Sequence, residues 1–159
     1  MSLQHSYQAL AKQESLDVPT GWLQGRTIYG GLVAGLMMQK ALLTLADDTK
    51  HLLSCSVTFV GPVQQAKVRL TSEILRQGKS VTTLEVRLWQ DDAVQSILVA
   101  SFGTQRESSI HVHQEPVAPA FPSVDGLTTA PHHPLAPECF KQLDMVWVLS
   151  LIHISEPTR

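Results

Sequence analysis

Charge of either sign is scarce in this 159-residue chain: Asp, Glu, Lys and Arg make up 16% of it, and the formal net charge is -2. No run of Lys or Arg breaks that balance, so nothing supplies the basic field that releases counterions from a polyphosphate, and nucleic-acid binding is excluded as the main activity. Cysteine is equally sparse. Cys55 and Cys139 lie far apart without metal-type spacing, which points to two free thiols in a reducing compartment. There is no apolar run fit to cross a bilayer, because the best stretch, residues 28–46, is interrupted by Gln39, Lys40 and Thr44. Residues 1–14 hold Gln4, His5, Gln8, Lys12 and Gln13 and lack an apolar core and a cleavage site, so a cytoplasmic rather than an exported protein is expected. The chain also has no nucleophile elbow, no His-Glu-x-x-His and no Cys-x-x-Cys. Gly78-Lys79-Ser80 fails as a phosphate loop because Glu73 stands where that loop requires glycine, and the triplet reads as a hairpin turn. No cofactor and no metal is expected.

What the chain does have is apolar patterning, with 43% hydrophobic residues and enough length for one self-sufficient core. Leu3, Tyr7, Leu10 and Ala11 share helical spacing and predict a short amphipathic helix over residues 3–12. Trp22-Leu23-Gln24 reads as a brief strand between the Pro19-Thr20-Gly21 turn and Gly25. Tyr29-Gly30-Gly31 then opens a long helix to about Ala46, apolar around nearly its whole circumference and therefore expected to be buried on most sides. From Lys50 the period changes to two. Residues 54–59, 67–75, 80–90 and 93–105 alternate apolar and polar side chains with Gly, Pro and Asp at the breaks, which predicts four strands in an antiparallel meander. One long buried helix followed by such strands is best satisfied by a curved antiparallel sheet wrapping the helix, an α+β arrangement.

Residues 1–106 therefore form one expected domain. Residues 107–138 hold six of the nine prolines and four of the seven histidines, and read as a linker. His111, His113, His132 and His133 sit in a proline-rich stretch with no acidic second shell or helical pairing to fix them, so a solvated segment is expected rather than a metal site. From Cys139 to Trp147 alternation resumes, as at the first strand of a second domain that stops short at about residue 148. Residues 149–159, LSLIHISEPTR, read codon by codon as the in-frame translation of a transposase-type sequencing adaptor, and are expected to be foreign to the natural protein.

The chemically informative segment is WLQGRTIYGGL, residues 22–32. Paired glycines in the first turn of a helix leave unpaired N–H groups unobstructed at the positive end of the macrodipole, a place where a carbonyl oxygen gaining negative charge can be held. The same glycines serve equally well to let the helix approach the sheet, and the residues alone leave both readings open. GWLQGRTIYGGLVAGLM, LSCSVTFVGPV, ILRQGKSVTTLEVRLWQD and ILVASFG follow one another in an order and spacing that resembles the N-terminal half of TesB-like (type II) acyl-CoA thioesterases of the hotdog superfamily. The resemblance implies a hotdog fold, an acyl-CoA substrate, hydrolysis to a fatty acid and CoA, and a chain of two hotdog repeats. It implies substrate binding by Gln24, Tyr29, Gly30 and Gly31, with Gly30 and Gly31 as oxyanion donors. It places the water-activating Asp, with a Thr and a Gln, in a second repeat, so this chain alone is expected to be inactive and to self-associate through its sheet edges. A hotdog domain that binds acyl-CoA without cleaving it is the alternative. A dehydratase is disfavoured because no His and Asp pair is visible near Tyr29.

Overall fold

The computed structural model describes residues 3–110, 117, 123, 125–127, 129–131 and 133–146. The order is helix α1 (Leu3–Leu10), strands β1 (Ser15–Asp17), β2 (Leu23–Gln24) and β3 (Thr27–Ile28), helix α2 (Gly30–Leu45), then strands β4 (His51–Phe59), β5 (Lys67–Gln77), β6 (Val81–Gln90) and β7 (Ala93–Gly103). The arrangement is α+β, with α2 packed along an antiparallel sheet. His111, His113, His132 and residues 147–159, including the adaptor-like segment, lie outside the described residues.

Alternation explains why the central strands form and which way they face. Thr82, Leu84, Val86 and Leu88 of β6, Leu98, Ala100 and Phe102 of β7, and Val68 and Leu70 of β5 are buried on one face of the sheet. Leu32, Val33, Leu36, Met37 and Ala41 of α2 close that core at helical spacing. The β6–β7 hairpin turns on Asp91 and Asp92, both at positive φ (51° and 57°), as a tight two-residue connection requires.

Three expectations are corrected. The four long strands are not a simple meander: the order is β1-β5-β6-β7-β4, so β4 pairs with β7, and residues 60–66 carry the chain across the end of the sheet to β5. The helix is not buried on most sides either. Its apolar surface is wider than the three strands beneath it, β5, β6 and β7, and Leu42 and Leu43 stay 46% and 37% exposed. Finally, residues 139–146, the described part of the stretch expected to resume as a strand, do not form one. Glu138–Gln142 is a 3-10 turn that lets the consecutive side chains of Cys139 and Phe140 both reach the core of the first unit, which alternation in a strand forbids, and Val146 meets Thr129 only in an isolated bridge.

Outside the cover of α2, β4 keeps the expected alternation without the expected burial. All of its residues are exposed except half-buried Val57, and Leu53, at the irregularity in its pairing with β7, is 60% exposed.

The far end of α2 is closed by Ala46, a left-handed residue (φ 47°, ψ 38°) whose N–H donates to the Leu42 carbonyl at 3.1 Å. A Cβ is disfavoured there, so Ala46→Gly is expected to stabilise the fold by about 0.5–1 kcal/mol after the entropy that glycine adds to the unfolded chain. The check is a urea titration, with a higher midpoint at unchanged slope as the expected result.

Candidate functional site

The entrance to α2 is assembled from two short segments and the crossover. Gly25, at φ 73°, makes the turn that pairs Leu23 with Ile28 and Gln24 with Thr27. The hairpin is then tied down at its exit: the Tyr29 N–H donates to the Trp22 carbonyl and the Ile28 N–H to the Val63 carbonyl, each at 2.9 Å. Tyr29 caps the helix in an extended conformation without a side-chain bond. The first helical bonds run from Leu32 and Val33 to the Tyr29 carbonyl, at 3.0 and 3.3 Å. The N–H groups of Gly30 and Gly31, ahead of these, have no acceptor among the described residues.

A pocket of about 210 Å³ opens at this point, between the helix entrance (Gln24, Thr27, Ile28, Gly30, Val33) and the crossover (Phe59, Gly61, Pro62, Val63). None of these side chains titrates. The site can hold an oxygen by backbone N–H and amide groups beside apolar surface, and it contains no group able to take a proton from water. Asp47 lies past the other end of α2, where hydrogen bonds from Thr49 and then Lys50 hold its carboxyl below the usual range. A separate hollow beside Lys67, Arg69, Trp89, Asp91 and Asp92 involves the opposite sheet face, where the Arg69 guanidinium stacks on Trp89 at 4.9 Å and charges of both signs alternate.

Of the four residues expected here, Gln24 and Gly30 line the pocket. Tyr29 and Gly31 do not. A Cβ on Gly30 would stand 3.1 Å from the Phe59 ring, so Gly30 lets that ring close over the helix entrance. A Cβ on Gly31 would collide with the ring of Tyr29, which folds back over the helix and stacks on Trp22 with centroids 6.4 Å apart and planes 14° from parallel. The two glycines thus have different neighbours. Sequence reasoning missed Phe59, Gly61, Pro62 and Val63, because Gly61-Pro62 marks only a strand end until the crossover is known.

Residues 18–104 match the family model described as the acyl-CoA thioesterase N-terminal domain. Among solved structures, a conserved protein of unknown function with hot dog fold from Alicyclobacillus acidocaldarius superposes with a TM-score of 0.68 at 20% identity, over 86% of this chain and 53% of that one. A provisionally named thioesterase II from Thermobifida fusca gives 0.65 at 18% identity, over 85% and 51%. The chain thus spans about half the length of these two. A mutant of the phenylacetic acid degradation protein PaaI from Thermus thermophilus gives 0.53 at 16% identity, over 57% and 82%. At such identities the likeness establishes the hotdog fold. No curated relative matches by sequence.

The two glycines should separate on substitution. Gly31→Ala forces Tyr29 out of its place and is expected to destabilise by about 1–3 kcal/mol, as overpacking does. In a Tyr29→Ala background the same change should cost much less, and this non-additivity in a double-mutant cycle, measured by thermal or urea unfolding, is the expected result.

Proposed function

The chain belongs to the acyl-CoA thioesterase N-terminal domain family, and from that premise we propose that it is the acyl-CoA-binding first repeat of a TesB-like (type II) acyl-CoA thioesterase. The observation that carries this reading is the pocket at the α2 entrance, where the unpartnered Gly30 N–H borders a small hollow of mixed polar and apolar lining without a titratable side chain, with the equally unpartnered Gly31 N–H next along the helix. Such a site suits a thioester. The carbonyl oxygen takes hydrogen bonds from the Gly30 and Gly31 N–H groups, which strengthen as water adds to the carbonyl carbon and the C=O electron pair moves onto oxygen. Collapse of that intermediate breaks the C–S bond, leaving a fatty acid and CoA. The proton taken from water passes through a base to the departing sulfur, and in this proposal the base is a carboxylate of a second repeat.

That second repeat is a proposal too, supported by the solved neighbours' greater length. Residues 107–138 would be the linker, residues 139–148, whose 3-10 turn packs on the first unit, would lead into the second repeat, and residues 149–159 would be the adaptor-derived end. A cytoplasmic place in fatty acid metabolism goes with the same proposal. Among the described residues no helix is long and apolar enough to cross a membrane. The absence of a titratable pocket group also favours a second reading for the 159-residue chain itself, binding of acyl-CoA without cleavage.

Two measurements on this chain test the reading. Calorimetric titration with decanoyl-CoA should show binding, while thiol release from it should run about 10²- to 10⁴-fold below that of an intact two-repeat thioesterase, the usual worth of general base help. Absence of binding would overturn the assignment of the pocket, and turnover at the level of the intact enzyme would overturn the placement of the base.

The same proposal predicts assembly. Strand β4 is a nine-residue edge without a Lys, Arg, Asp or Glu to deter pairing, so the isolated chain should self-associate along it. Ser56→Lys places a charge at the middle of this edge, and light scattering at micromolar concentration should show dimers or larger species for the parent chain and a shift to monomer for the variant.

A further inference from the structure

Residues 60–66 have to pass the ends of β7 and β6 on the way from β4 to β5, and the structure anchors them at both. At β7 the anchor is backbone: the N–H groups of Val60 and Gly61 both donate to the Gln95 carbonyl, at 2.8 and 3.0 Å. At β6 it is a side chain. Gln90 continues the inward series Thr82, Leu84, Val86, Leu88 and is only 4% exposed, a position where this strand otherwise favours an apolar residue. Its Oε1 accepts the Gln64 N–H at 2.8 Å, and its Nε2 donates to the Gln64 carbonyl at 3.1 Å and to the Lys67 carbonyl at 3.4 Å. Both amide hydrogens and the oxygen are therefore engaged with backbone.

One residue before Gln64, Val63 is buried in the core, lines the pocket and accepts the Ile28 N–H through its carbonyl. Gln90 therefore grips the crossover next to the residue that joins it to the helix entrance. Gly61, Pro62 and Val63 form one side of the pocket, and Gln24, Gly30 and Val33 the other. We infer that Gln90 is a positioning residue for the acyl-CoA pocket: it touches no ligand, and through Gln64 and Val63 it fixes the spacing of the two pocket walls and so the affinity of what binds between them. This rests on the acyl-CoA reading of the pocket. A merely structural amide, by contrast, would move stability and leave the affinity of the folded protein alone.

The test uses the 159-residue chain with Gln90→Met, which keeps the side-chain volume and removes all three hydrogen bonds, and Gln90→Glu, which keeps the acceptor for the Gln64 N–H. Amide exchange reads the grip and titration with decanoyl-CoA reads the pocket. In Gln90→Met, exchange at Gln64 and Ile28 should rise about tenfold or more while Leu84 and Val86 in the central strand stay protected, and the Kd for decanoyl-CoA should rise about tenfold. Gln90→Glu should retain protection at Gln64 and lie between the two in affinity. A Gln90→Met protein that frees the Gln64 amide, keeps its central strand and binds decanoyl-CoA as tightly as the parent overturns the inference and leaves the functional reading standing. If Gln90→Met fails to fold, parental affinity in Gln90→Glu at a pH high enough to ionise the carboxyl, where it has no hydrogen for the Gln64 and Lys67 carbonyls, overturns it in the same way. Failure of the parent chain to bind decanoyl-CoA removes both the functional reading and this inference.

Discussion

Burial of one face of α2 against β5, β6 and β7 is the contact from which the remaining geometry follows. Leu36, Met37, Leu70, Leu84, Leu88 and Leu98 are almost fully excluded from solvent there, and each such side chain contributes about 1.5–3 kcal/mol relative to exposure. A 16-residue helix is wide enough to cover three strands, and the sheet has five. The strands left outside are β1, which α1 covers, and β4, from which the chain must cross the sheet end to rejoin the core at β5. This crossing passes the start of α2, so the helix entrance, the crossover and the free N–H groups are brought together by topology rather than by closeness in sequence.

The chemistry of the pocket follows from the same placement. A helix entrance without a capping side chain exposes donors, and a crossover of Gly61, Pro62 and Val63 brings up apolar walls without charge. Oxygen can be held there. A proton cannot be moved, since no carboxylate, imidazole or amine lines the space. Gly30 and Gly31 divide the work: Gly30 admits Phe59 over the pocket, while Gly31 makes room for Tyr29 on its stack with Trp22.

Where a strand has one face on the core and one in water, sequence reads it directly, and β6 is the clear example, with Thr82, Leu84, Val86 and Leu88 inward in the expected register. The long helix was legible for a different reason, an apolar run of helical length opened by paired glycines and stopped by Asp47-Asp48. The pairing order was not, because Cys55, Val57 and Phe59 alternate just as a core-facing strand does, and nothing local distinguishes an edge strand that the helix fails to reach. Gln24 and Gly30 could be located from the glycine turn and the family resemblance. Phe59 and Val63 could not, since their approach to Gly30 and Ile28 exists only after the crossover forms. Gln90 is in sequence only the last residue of the expected strand over residues 80–90, and its three backbone contacts depend on that same crossover.

The two unsupported borders of the sheet differ in kind. Beyond its short pairing with β1, the free length of β5 carries Glu73 and Arg76, charges that discourage another strand from docking. Strand β4 carries none, has apolar side chains open to solvent at Leu52, Leu53 and Phe59, and borders the pocket through Phe59. A lone unit gains nothing from an edge of that composition, whereas a second unit paired along β4 would cover those side chains and could bring new side chains close to the pocket. The uncharged edge and the pocket lining without a titratable side chain are two separate features, one of packing and one of chemistry. They adjoin at Phe59, so any strand that paired along β4 would cover the exposed side chains and reach the rim of the pocket at the same place.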